Sequence, residues 1–254
     1  MSALQNLIKV ETKLFLRDSA TVVFGVLFPT VLLLGLGSIP VLREPSPETG
    51  ELRPIDIWAP TALVFGMVMI AVQHLPAVVA TYRERGILRR LSTTPAHPGM
   101  VLLAQMIVAF ASVVVSAALL VFAAWAVLGI APPERPLRFV LAGVAGYAAL
   151  LGLGMIAAAV LRTSSSANQV GTLLFVVLMF FGGAFLPRSL MPDVLRDVGE
   201  FIPPGLQALT AAWSTDAAAT TATAGGQPFW IQIAIMGATA VIAGAIAAKL
   251  FRWE

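Results

Sequence analysis

Six long stretches without a charged side chain fill most of this chain, and they restrict what it can fold into. They are Ser19–Leu42, Ile57–Tyr82, Leu91–Pro133, Phe139–Leu161, Thr163–Pro187 and Ala217–Ala248. A helix needs about 20 apolar residues to cross the roughly 30 Å of hydrocarbon in a bilayer, and each stretch can hold one such helix. Charged residues make up only 11% of the chain, whereas soluble domains carry about 25%. The sequence therefore predicts an all-α polytopic membrane protein with six transmembrane helices.

The flanking charges and prolines set the predicted bounds within a single transmembrane domain, residues 1–254. We expect spans over about residues 19–41, 57–81, 100–130, 139–161, 166–186 and 228–249. Apolar residues at helical spacing beside Lys9, Lys13 and Arg17 predict an amphipathic helix over residues 1–18 that lies in the membrane interface. Pro29 should kink the first span.

A second amphipathic segment precedes the last span. Apolar residues share one face between Arg188 and Glu200, and Pro203-Pro204-Gly205 separates this helix from Leu206–Trp213. This pattern predicts re-entrant outer helices over residues 187–213, buried against protein. The alternative is an interfacial helix that rests on lipid.

The distribution of basic residues predicts the orientation. With six crossings and both termini inside, ten basic residues lie on the inner side and six on the outer side. The inner ones are Lys9, Lys13, Arg17, Arg83, Arg85, Arg89, Arg90, Arg162, Lys249 and Arg252. Because positive charge is retained on the cytoplasmic side, we expect a multi-pass protein of the cytoplasmic (inner) membrane with both termini cytoplasmic. No soluble basic face exists to bind nucleic acid.

Several kinds of chemistry lack their sequence signals. There is no phosphate-binding Gly-x-x-x-x-Gly-Lys-Ser/Thr loop, so we expect no ATP hydrolysis by this chain alone. No Asp, Glu, Lys or Arg lies inside a predicted span, which disfavours an ion-coupled carrier. His74 is the one residue there that could titrate, and it fits a packing role better than a proton relay. The sequence contains no cysteine, predicts no metal site and shows no catalytic site.

The segment between the second and third spans combines four arginines with Ile87, Leu88 and Leu91. It can be interpreted in two ways. The arginines could contact anionic lipid headgroups. Alternatively, the segment docks on a soluble partner, with its apolar residues in a cleft and its arginines paired with acids.

The run from Arg83 to Leu91, followed by Ser92-Thr93-Thr94-Pro95, resembles the first cytoplasmic loop of the type-2 ABC exporter permeases. The N-terminal residues Glu11, Lys13, Arg17-Asp18 and Pro29 are similar to the interfacial helix of that family. The stretch from Phe181-Gly182-Gly183 through Pro203 resembles its fifth-span exit and outer loop. These three blocks occur in the family's order over six spans. Ile87 and the doubled Arg89-Arg90 depart from the commonest residues at those places.

The resemblance implies that residues 82–95 form a cytoplasmic coupling loop for a separate ATP-binding-cassette ATPase. ATP and Mg would be bound by that partner, and this chain would hold no cofactor. The coupling residues would be Arg83, Glu84, Arg85, Gly86, Ile87, Leu88, Arg89, Arg90 and Leu91. It also implies two permease copies, as a homodimer in which the first and fifth spans meet. Candidate residues of the substrate path are Met67, Gln73, His74, Asn168, Gln169, Phe175, Phe180 and Phe181, each of which could equally be ordinary packing.

Within the family, the chain looks closest to the drug- and antibiotic-exporting branch. Two tyrosines and five tryptophans are few for a conduit lined by aromatic residues, as in the polysaccharide branch. We therefore expect a permease subunit that moves hydrophobic or amphipathic molecules outward, with efflux and antibiotic resistance as its roles. The alternatives are a non-transporting membrane subunit that senses a ligand and a lipid or glycan permease of the same architecture.

Overall fold

The computed structural model describes residues 3–46, 52–87, 90, 98–182, 184–185, 191–199, 201–202, 204–214 and 228–251. All regular structure within these residues is helical, which confirms the predicted fold class. The helices are α1 (Ala3–Arg17), α2 (Ser19–Gly37), α3 (Pro54–Glu84), α4 (Pro98–Leu128), α5 (Pro136–Val160), α6 (Ser164–Phe181), α7 (Asp193–Gly199), α8 (Leu206–Trp213) and α9 (Phe229–Leu250). Six of the described helices, α2 to α6 and α9, are long and apolar enough to cross a membrane, as predicted.

The second span, α3, lies at the centre of the bundle. In its most apolar 18-residue window, 67% of the residues are buried, against 17% in the equivalent window of α9. Helices α2, α4, α5 and α6 all pack on α3, α1 packs on α4, and α9 packs almost entirely on α5. A change at either end of α3 therefore acts directly on most of the other spans.

Two spans contain a π-helical segment, and in both a proline follows two residues later. Residues Val22–Leu27 of α2 precede Pro29, and residues Met69–His74 of α3 precede Pro76. Proline lacks an N–H and its ring clashes with the carbonyl four residues earlier. The wider π turn relieves this clash and leaves the Gly25 and Val72 carbonyls without their α-helical donors. A π segment, a known cause of helix kinks, thus lies directly before Pro29, where the kink was predicted.

Neighbouring glycines lie against these two carbonyls. A Cβ on Gly66 would come within 3.1 Å of the Gly25 oxygen, and a Cβ on Gly171 within 3.1 Å of the Val72 oxygen. Only a residue without a side chain allows α3 to approach α2, and α6 to approach α3, so closely. The π segments therefore lie where three spans meet.

Helix α8 packs on α5, and we call this region the α8 contact. The helix follows Gly205, whose φ of +93° favours glycine, and all of its residues except Ala211 are buried. Trp213 meets Phe139 edge to face with the ring centroids 5.6 Å apart. By contrast, α7 lies at the surface, and Val194 is 74% exposed. Helices α7 and α8 lie within the two predicted segments, and residues 187–190, 200 and 203 of the predicted range fall outside the described residues. Their re-entrant placement stays a prediction.

Candidate functional site

The predicted coupling segment begins where α3 ends. The amide of Gly86 donates to the Arg83 carbonyl at 3.0 Å, and Gly86 has a φ of +64°, a conformation typical of the glycine that terminates a helix. Arg85 and Arg90 are exposed and Ile87 is half-buried. Leu88, Arg89, Leu91 and the Thr94-Pro95 pair lie outside the described residues.

Arg83 turns away from the rest of the segment and contacts the end of α5. Its Nη1 donates to the carbonyl oxygens of Ala158 at 3.2 Å and Leu161 at 2.9 Å. Its guanidinium also lies over the ring of Phe251, 5.1 Å from the centroid. A cation at a helix C-terminus satisfies the last carbonyls and interacts favourably with the helix dipole. Arg83 thus connects the end of α3 with the ends of α5 and α9.

Glu84 makes the complementary contact with the start of α6. Its carboxylate accepts hydrogen bonds from the Ser164 amide at 3.0 Å and from the Ser164 hydroxyl at 2.8 Å. Thr163 is the N-cap of α6 and accepts from the Ser166 amide at 3.1 Å. A carboxylate is favourable at a helix N-terminus, where amide groups lack helical partners.

The two side chains therefore hold both sides of the turn between α5 and α6, and we call them the Arg83–Glu84 clamp. Arg83 binds the last carbonyls before the turn, and Glu84 binds the first amide after it. Arg83 and Glu84 are among the coupling residues that the resemblance implies, and their described bonds lie within the chain. Their role in coupling stays a prediction. Of the other described members of the segment, Arg85 and Arg90 are exposed and Ile87 is half-buried.

One residue before the clamp, Tyr82 connects α3 with α1. Its hydroxyl donates to both carboxylate oxygens of Glu11, at 3.1 and 3.0 Å. Glu11 is only 7% exposed. Burial raises the pKa of Glu11 above its usual value, while the hydrogen bond from Tyr82 and the nearby amide of Gln105 oppose this shift. Three consecutive residues of α3 thus contact α1, α5 and α6.

Three of the predicted path residues, Gln73, His74 and Asn168, line one cavity of about 700 Å³ between α1, α2, α3, α4 and the start of α6. We call it the α1 cavity. Gln73 donates to the Thr172 hydroxyl at 2.9 Å. His74 Nδ1 lies 2.8 Å from the Thr21 hydroxyl and 3.7 Å from a carboxylate oxygen of Asp18. The His74 ring therefore joins α2 to α3.

The other predicted path residues lie apart from this cavity. Met67 is 1% exposed and packs in the core. Gln169 is exposed on α6. Phe180 and Phe181 contact each other edge to face at the far end of α6, with centroids 5.7 Å apart.

Phe175 is the one predicted path residue in a row of four phenylalanines. Its ring lies 4.8 Å from that of Phe65, which lies 5.1 Å from Phe28, which lies 5.9 Å from Phe24. The row runs from α6 across α3 to α2, and Phe24 at its edge is 50% exposed. Its members come from three distant segments, so the only early signal was Phe24 and Phe28 at i, i+4 spacing.

Comparison with known proteins gives one family match. Residues 2–205 match the model of a family described as ABC-2 type transporter. The match runs from the start of α1 to the residue before α8, and covers most of the chain. No curated protein matches this chain.

Proposed function

This chain belongs to the ABC-2 type transporter family, and we propose that it forms one of two permease halves of an exporter of hydrophobic or amphipathic molecules. As a member of that family it is a multi-pass membrane permease that works with an ATPase. The proposal adds coupling to the ATPase through residues 83–91, a homodimer, outward transport across the cytoplasmic membrane and ATP with Mg bound by the partner. Both termini would be cytoplasmic.

The observation that carries this proposal is the Arg83–Glu84 clamp. Its residues directly precede Arg85, Ile87 and Arg90, and they bind the ends of α5 and α6. A force applied to the following segment by a partner would therefore reach α5 and α6 through short, charge-assisted hydrogen bonds, which are stronger than neutral ones. A segment that merely contacts lipid headgroups would have no need of such a connection.

The exposed polar face of α6 supports a second copy on this side of the bundle. Asn168, Gln169 and Thr172 are exposed within a helix long enough to span the membrane. Polar side chains at membrane depth normally face protein or a water-filled cavity rather than lipid. We propose that this face of α6, together with the exposed face of α2, lies at the interface of the dimer and lines the path.

The row of phenylalanines favours an apolar or amphipathic substrate. Phe24, Phe28, Phe65 and Phe175 cross the same side of the bundle. Such a surface can bury the apolar part of a ligand, and its phenylalanine rings can stack on flat rings of the ligand. Aromatic surfaces also suit sugar rings, so a glycan permease stays the second candidate, and the drug- and antibiotic-exporting branch is the first.

The proposed docking is tested by reversing charge at Arg85 and Arg89 together. Like charges placed against acids of the ATPase should abolish its co-purification, because loss of a desolvated charge partner costs about 2–5 kcal/mol. The matched control is Arg135→Glu, which changes an exposed arginine at the start of α5, the end of that helix opposite to the clamp. ATPase capture and export of an amphipathic dye are measured in the same membranes.

Replacement of the same two arginines by lysine separates docking from lipid contact. Lipid attraction is worth about 1 kcal/mol per basic residue and does not depend on which one supplies it. Docking through paired guanidinium bonds would be weakened by lysine, which lacks the planar fork. Normal capture and export by the double glutamate variant would show that this segment does not dock the ATPase.

A further inference from the structure

More acids than bases line the described wall of the α1 cavity. Among the described lining residues, Glu11 and Asp18 bear carboxylates, Arg85 bears a guanidinium and His74 adds an imidazole ring. Asp18 is exposed over 44% of its side chain, whereas Glu11 is 7% exposed. One acid thus lies at the mouth of the cavity and the other lies deep in its wall.

Glu11 has more hydrogen-bonding capacity than the protein uses. The Tyr82 hydroxyl donates a single hydrogen bond, which the two carboxylate oxygens share. Each oxygen of an ionised carboxylate accepts about two hydrogen bonds. No described lysine or arginine forms a salt bridge with Glu11. A buried carboxylate without a basic partner is costly, and a cationic ligand in the cavity would remove that cost.

Gln105 provides a second sign of a ligand. It lines the same cavity beside Glu11 and is 6% exposed, and among the described residues neither its amide oxygen nor its amide nitrogen has a hydrogen-bond partner of normal geometry. Buried amides are almost always paired. Its amide oxygen could accept a hydrogen bond from the same ligand group that donates one to Glu11.

The remaining wall is apolar and the volume suits a small molecule. Leu14, Phe24, Met69, Val78 and Val108 face the cavity. Its volume of about 700 Å³ lies within the 300–1,000 Å³ range of small-molecule sites, which combine apolar walls with a few placed polar groups.

We propose that the α1 cavity binds an amphipathic amine, with its protonated nitrogen at Glu11 and Gln105, Asp18 at the entrance, and its apolar body among the side chains of α2, α3 and α4. The inference deepens the proposed function by assigning a charge to the exported molecule. The same chemistry could come from the amine headgroup of a membrane lipid, and the experiment separates the two sources.

The test measures binding to the purified full chain in maltoside micelles, which contain no amine. The probes are a dansyl alkylamine and the dansyl alcohol of equal chain length. We expect the amine to bind about tenfold more tightly than the alcohol, because a charge-assisted hydrogen bond is worth about that ratio. Glu11→Gln should remove most of this preference, and Asp18→Asn should reduce it about threefold, as expected for an exposed charge.

The control variant is Glu44→Gln, which removes an exposed carboxylate beyond the far end of α2 and should leave the preference unchanged. Asp18→Asn keeps a side chain that can cap α2, so it gives a result even where Glu11→Gln does not fold. Competition by short-chain phosphatidylethanolamine but not phosphatidylglycerol would identify a lipid headgroup as the source, and lack of competition would identify a free amine.

Two results would overturn the inference. Equal binding of amine and alcohol would show an apolar cleft without charge recognition. A preference that survives both Glu11→Gln and Asp18→Asn would place the amine elsewhere. Because binding is measured without an ATPase or ATP, these failures are distinct from a failure of the proposed docking, which is measured by ATPase capture.

Discussion

The Arg83–Glu84 clamp and the α8 contact are both packed regions, but different forces hold them. In the clamp, charged side chains bond to backbone groups at the ends of α5 and α6. In the α8 contact, apolar side chains fit closely, and the backbone amides of Glu134 and Arg135 donate to the carbonyls of Trp213 and Ala212 at 3.0 and 3.1 Å. The buried Trp213 indole nitrogen has no hydrogen-bond partner among the described residues. The clamp therefore depends on two charged side chains, whereas the α8 contact depends on backbone bonds and on close apolar packing along a whole helix.

The largest effect should come from filling the α8 contact. A Cβ on Gly146 would lie 2.9 Å from the Gly205 Cα and 3.1 Å from the Pro204 oxygen, both backbone atoms. We expect Gly146→Ala to destabilise the chain by about 3 kcal/mol, the upper part of the usual cost of overpacking.

The matched control is Gly143→Ala, whose Cβ would meet only Leu209 Cδ2 at 3.9 Å. That change should be neutral or stabilising, since alanine favours helices over glycine by about 1 kcal/mol. Apparent melting temperatures in detergent compare the two variants. Equal behaviour of the pair would mean that close backbone contact does not hold α8.

Next in size is the loss of the Arg83 guanidinium. Arg83→Met keeps the apolar stem but leaves the Ala158 and Leu161 carbonyls without this donor. We expect a cost of about 2 kcal/mol, typical of hydrogen bonds to a charged group, and a loss of substrate-stimulated ATPase activity in the assembled complex. The control, Arg162→Met, removes an exposed guanidinium from the adjacent turn. If both variants keep full stimulation, the clamp does not transmit coupling.

A smaller effect on stability is expected for Glu84→Gln. The carboxylate is exposed, so loss of its charge at the N-terminus of α6 should cost about 1 kcal/mol or less. Glutamine keeps only one of the two oxygens that accept hydrogen bonds from Ser164. The weakened clamp should therefore lower export, while ATPase capture stays unchanged. Capture and export are measured together, with Glu44→Gln as control. Joint loss of both would indicate that Glu84 contacts the ATPase directly.

The smallest effect is expected for Trp213→Phe. It keeps the contact with Phe139 and removes a buried donor without a described partner. Because an unpaired buried polar group is itself unfavourable, the change should shift stability by less than about 1 kcal/mol. Thermal unfolding checks this. A large loss would mean that the indole nitrogen has an essential partner and would weaken the contrast between the two regions.

The six spans were predictable because a charge-free stretch of about 20 residues has few other stable folds. The clamp was not. Arg83 and Glu84 each bond to groups about 80 positions away, and their local pattern is equally typical of a docking segment or a lipid contact. The sequence identified Gln73, His74 and Asn168 as polar residues in spans, but only the fold shows that they share a cavity with Glu11 and Gln105.

The two π segments also affect how the chain can vary. Each π segment contains one residue more than the α-helical turn that it replaces. One residue of an α-helix corresponds to a rotation of about 100° about the helix axis. Deletion of a single residue within Val22–Leu27 would rewind α2 and turn its first residues, with Asp18 and Thr21, away from His74. These short stretches should therefore accept substitutions more readily than insertions or deletions. Their length determines which face of the first span is turned toward the second.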